Sequence, residues 1–121
     1  MADESPILAN PSLTIELEVV GETPHVLAYR VWTKAPGEER WVVAAEGHSE
    51  DGVPDLHPIG PFARGTLVAW WLGIGGPAGS WFRAAVRFGQ LGQVLEGGER
   101  RVRGRTNTRG GAVRSGEALL A

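Results

Sequence analysis

The sequence predicts an all-β fold, a single-domain antiparallel β-sandwich of seven to nine short strands. Three observations carry that reading. Apolar and polar residues alternate at period two in most segments, the pattern of a strand with one dry and one wet face. The 18 glycines and 8 prolines fall mainly between those segments, where they act as turn punctuation. The chain has 121 residues, enough for one domain with its own core and too few for two.

Residues 1–12 contain Asp3, Glu4, Pro6 and Pro11 and read as an extended lead-in to a domain spanning 13–121. In 13–20, Leu13, Ile15, Leu17 and Val19 alternate with Thr14, Glu16 and Glu18, giving a first strand. Residues 25–34 and 40–46 are rich in β-branched and aromatic side chains and flank a Pro36-Gly37 turn, which suggests a hairpin. Residues 47–64 hold three prolines and three glycines and are expected to form the longest irregular stretch.

Residues 65–75 are apolar on both faces. Leu67, Ala69 and Trp71 lie on one face, and Val68, Trp70, Leu72 and Ile74 on the other, as expected of a central strand or one beneath an interface. For 81–90, a short helix capped by Ser80 competes with a strand. The strict alternation of Phe82, Ala84, Val86 and Phe88 against Trp81, Arg83 and Arg87 favours the strand. Residues 93–97 form a short strand ended by Gly97-Gly98. Residues 99–106 form an edge strand guarded by arginines, and 112–121 close the chain.

In the middle of the chain, a tryptophan strand (Trp41) and a long loop precede Pro58, Pro61, Gly65 and Thr66 and then an aromatic strand. That spacing, over residues 25–90, resembles fibronectin type III and immunoglobulin-like modules. A jelly-roll-like order is the alternative.

The absence of cysteine excludes a disulfide scaffold, a thiolate metal centre and a cysteine nucleophile. The formal charge of −2 hides an asymmetry. Residues 1–75 carry eleven acids against four bases, whereas 76–121 carry eight arginines against three glutamates. Strand interleaving would mix these charges on the surface; a basic face for an acidic partner is the other possibility. The N-terminus has no basic, apolar signal pattern and no run is long enough to span a bilayer, so a cytoplasmic protein is expected.

Two groups of residues are candidates for binding. Trp70 and Trp71 are strand neighbours, so one must enter the core while the other faces out. Trp81, Arg83 and Arg87 share a strand face suited to stacking on a sugar, a base or a partner's side chain, unless the chain's own loops cover it. Arg101, Arg103 and Arg105 share another, an arginine ladder able to hold carboxylates or phosphates. Nucleic acid is the less favoured anion, because no aromatics follow Phe88 and the sequence pI is about 5.9.

The second group is His48, Asp51, Asp55 and His57, ligand types for a divalent metal at a spacing that fits no metal motif. No cofactor is expected, with a divalent metal as the weaker alternative. No nucleophile elbow or phosphate loop is present; Gly73, Gly75, Gly76 and Gly79 read as a hairpin turn. Glu16 and Glu18 read as solvated strand residues.

The expected function is a non-catalytic module that recognises a protein, its own subunits or a carbohydrate through an aromatic and arginine surface. A metal-dependent protein and an anion or nucleic-acid binder are the alternatives. Self-association through strand 65–75 and the Trp81 face is expected as the cover for the two-faced apolar strand.

Overall fold

The alternation at period two becomes eight strands in the computed structural model, which describes residues 5–121. They are β1 (Ile15–Gly21), β2 (Val26–Lys34), β3 (Val42–Ser49), β4 (Asp55–Ile59), β5 (Leu67–Gly75), β6 (Trp81–Gln90), β7 (Gln93–Arg105) and β8 (Gly111–Leu119). Residues 81–90 are a strand, and there is no helix among the described residues.

Two antiparallel four-stranded sheets form the sandwich, in the orders β4-β1-β6-β7 and β3-β2-β5-β8. Only β2–β3 and β6–β7 are connected within a sheet; every other connection crosses to the opposite sheet. Strands β1 and β2 therefore lie in different sheets, whereas the first two strands of an immunoglobulin domain pair with each other. The two-sheet antiparallel sandwich itself is as the sequence predicts. β5 is an inner strand between β2 and β8, and the arginine-rich β7 is an edge, both as the sequence predicts.

The core is the set of inward positions: Ile15, Leu17 and Val19 from β1, Leu27 and Val31 from β2, Trp70 and Leu72 from β5, and Phe82, Val86 and Phe88 from β6. The opposite parity on each strand faces out.

Three local features depart from the sequence reading. Residues 55–59 form a strand inside the expected loop, because β4 is an edge and an edge tolerates Pro58. Gly97-Gly98 does not end a strand: Gly97, at φ 75°, sits in an irregular stretch within one continuous 13-residue β7. The lead-in is built into the sandwich. Ile7 is fully buried, its N–H donates to Leu119 O at 2.8 Å, and Ala121 N–H donates back to Ile7 O at 2.9 Å.

A polar latch joins β2 to β4. The Tyr29 hydroxyl donates to Asp55 Oδ2 at 2.5 Å across the two sheets. Gly47 lies beneath it, since a β-carbon there would come 2.9 Å from the Tyr29 oxygen. Burial first, then the hydrogen bond to Asp55 and its charge, raise the Tyr29 pKa well above its ordinary value. A group whose folded pKa is raised stabilises the fold fully below its unfolded pKa, about 10 for tyrosine, and progressively less above it. Tyr29 is the sole tyrosine, so its titration can be read directly. Tyrosinate absorbance is expected to stay silent as pH rises past about 10 and to appear only together with unfolding. An ordinary titration in the still-folded protein would remove the latch from the account.

Candidate functional site

The outer face of the β4-β1-β6-β7 sheet gathers six residues that the sequence placed on two separate strand faces. Trp81, Arg83, Ala85 and Arg87 project from β6, opposite Arg105, Arg103, Arg101 and Glu99 of β7. The two arginine runs are thus parts of one surface. Ala85 and Val20 are small, and leave between the arginines a shallow hollow of about 630 Å³.

The arginines on this face are not equivalent. Arg87 donates to Glu18 Oε1 at 2.9 Å and to Glu99 Oε2 at 2.8 Å, and Arg101 donates to Glu99 Oε1 at 2.6 Å. These bonds hold Glu99 below the usual carboxylate range, chiefly through Arg87 and then Arg101, and raise Arg87. Lying at the surface and only part-buried, the chain of charges adds little to stability, and what it adds is lost as acid protonates Glu99. Arg105 donates to Gly79 O at 2.6 Å and lies 5.9 Å from the Trp81 ring centre. Arg83 and Arg103 face each other across the strands and have no carboxylate partner among the described residues. Trp81 is 72% exposed, so no loop covers it.

The other two candidate tryptophans lie elsewhere. Trp70 is buried in the core. Trp71 points out from the opposite sheet, where it lies flat across Gly73; a β-carbon there would meet its ring at 2.6 Å. Trp71 and Trp81 are therefore on opposite outer faces, and one two-fold contact cannot cover both. The expectation of a single interface through strand 65–75 and the Trp81 face does not fit this geometry.

The proposed metal ligands are dispersed. His48 is on β3, opposite Ala28 on the outer face. Asp51 occupies a turn at φ 55°, Asp55 is engaged by Tyr29, and His57 lies on β4 opposite Leu17. The closeness of these residues in sequence is undone because β3 and β4 belong to different sheets. No group of three potential ligands suited to a metal ion assembles among the described residues.

A histidine–serine contact that sequence proximity did not suggest joins His25 and Ser80, with Nε2 to Oγ at 2.7 Å. The Ser80 hydroxyl gives its proton to Pro77 O at 2.5 Å, so His25 must donate to it and does not act as its base. With Thr106, which also donates to Pro77 O at 2.6 Å, this cluster fastens the β5–β6 turn.

No helix among the described residues is long and apolar enough to cross a membrane. No protein-family model matches the chain, and no curated protein or solved structure matches it.

Proposed function

We propose that this protein is a non-catalytic binding module that docks a short acidic segment of a protein partner on the Trp81–arginine face. The observation that carries the reading is the facing pair Arg83 and Arg103, without internal carboxylates, on the same surface as the exposed Trp81. Two guanidinium groups one strand apart offer forked donors to carboxylates. The exposed tryptophan supplies the large apolar contact that dominates many interfaces.

The same face argues for a short anion over a long one. Glu16 and Glu18 line β1 next to Arg87, and Glu22 borders the hollow. A nucleic-acid backbone running across the sheet would leave the arginines and meet these carboxylates. An acidic peptide can stay within β6 and β7.

Fluorescence anisotropy with a labelled oligoglutamate peptide tests the reading, with single-stranded DNA as comparison. Peptide binding is expected, weakening with salt. It should be abolished by the double reversal Arg83→Glu/Arg103→Glu and reduced about tenfold by Trp81→Ala, with unfolding free energy changed by no more than about 1 kcal/mol in the latter. Binding that survives the double reversal, or DNA binding as tight as peptide binding, would replace this function.

A further inference from the structure

The opposite outer face, on β3-β2-β5-β8, has a different chemistry. Its hollow, about 660 Å³, is bordered by Trp32, Trp71 and His48, with Ala28 at its floor. The Arg30 guanidinium lies 5.9 Å from the Trp32 ring centre and pairs with Glu46 at 2.9 Å. Trp71, next to Arg30 on the adjoining strand, lies across Gly73 and is 37% exposed.

The geometry points to a second binding site here, one for a neutral pyranose unit of a glycan. The apolar side of a sugar ring, formed by its C–H groups, can lie on the exposed surface of Trp71. Arg30 and Glu46 then present a donor and an acceptor side by side. Two neighbouring sugar hydroxyls are each both donor and acceptor, so a vicinal diol satisfies the pair without disturbing its charge balance. Because Arg30 and Glu46 neutralise each other, the floor of the site offers no uncompensated charge to an anion. This separates it from the Arg83–Arg103 face across the sandwich. His48, at the rim beside Glu46, adds a further group for a sugar hydroxyl.

The second site does not depend on the first, and its variants lie on the other sheet. Affinity electrophoresis in gels cast with soluble neutral polysaccharides (hydroxyethylcellulose, galactomannan and soluble starch) tests it, with dextran sulfate as the anionic comparison. At least one neutral polymer is expected to retard the wild type. Retardation should be lost in Trp71→Ala, weakened about tenfold in Glu46→Gln and kept in Arg83→Glu/Arg103→Glu. Trp71→Phe, which keeps an aromatic surface, should retain part of it; this and circular dichroism distinguish lost binding from lost folding. Unretarded migration in all three neutral gels overturns the assignment, as does retardation unchanged in Trp71→Ala.

Discussion

Trp70→Ala is expected to cost about 3–5 kcal/mol of unfolding free energy, while Trp71→Ala and Trp81→Ala cost about 1 kcal/mol or less. The difference comes from strand parity. Trp70 is turned inward on β5 with its ring over Gly116, where a β-carbon would fall within 2.7 Å of two ring atoms. Truncation leaves a cavity that neither β5 nor β8 can close without shifting register. Trp71 and Trp81 leave solvent-facing surface behind them. Trp70→Phe should be far milder than Trp70→Ala. The Trp70 indole N–H is buried with no acceptor among the described residues, so losing it relieves a desolvated donor while much of the ring volume remains. Urea unfolding of the four variants checks this, read as midpoint shifts at unchanged slope. Equal losses for all three alanine variants would mean that the two faces of β5 are not distinguished as described.

That parity was legible from sequence wherever alternation was clean. In β1 and β6 apolar residues alternate with polar ones, so their inward sets follow from the pattern, whereas β5, apolar on both faces, reads as a strand but leaves open which of Trp70 and Trp71 turns inward. β4 was hidden because Pro54 and Pro58 argue against a strand, and only its edge position makes them harmless. The unity of β7 was hidden by Gly97-Gly98, which reads as a turn and serves as an irregularity inside a strand.

The Trp81–arginine face was half legible. Parity along one strand shows that Arg101, Arg103 and Arg105 belong together, and likewise Trp81, Arg83 and Arg87. That these two sets meet depends on β6–β7 register, which places Arg83 opposite Arg103 and is fixed by the Leu91-Gly92 turn together with the irregularity near Gly89. The partners Glu18 and Glu99, which occupy Arg87 and Arg101 and so leave Arg83 and Arg103 as the open pair, depend on that same pairing. The His48–His57 cluster fails for the converse reason. Neighbours in sequence were carried to different sheets by the crossing between β3 and β4. On the opposite face, Trp32, Arg30 and Glu46 come from two strands and were visible only once β2 and β3 were paired.

Gly97→Ala is expected to cost about 3 kcal/mol, and Gly92→Ala only about 1 kcal/mol. Both glycines have positive φ, 75° and 76°, so the backbone penalty for an L side chain is shared. They differ in what a β-carbon would meet. At Gly92 there is nothing within 4 Å, whereas at Gly97 the Pro6 carbonyl lies well inside contact distance. That carbonyl belongs to the N-terminal strap, which is held beside β7 by Leu8 N–H donating to Glu96 O at 3.0 Å. Arg100, itself buried, ties the two together by donating to Gly97 O at 3.1 Å and to Ser5 O. Moving the strap to make room would pull Ile7 out of the core, and a buried isoleucine alone is worth about 2–5 kcal/mol when truncated to alanine. Partial relaxation sets the expected loss between the shared backbone term and the full loss of Ile7. Ile7→Ala in the Gly97→Ala background should then cost less than in the wild type, because the two changes act on one contact. Thermal and urea unfolding of the double-mutant cycle measures this. If Gly97→Ala and Gly92→Ala cost the same and Ile7→Ala is additive with Gly97→Ala, the N-terminal strap does not depend on that close approach for its place in the sandwich.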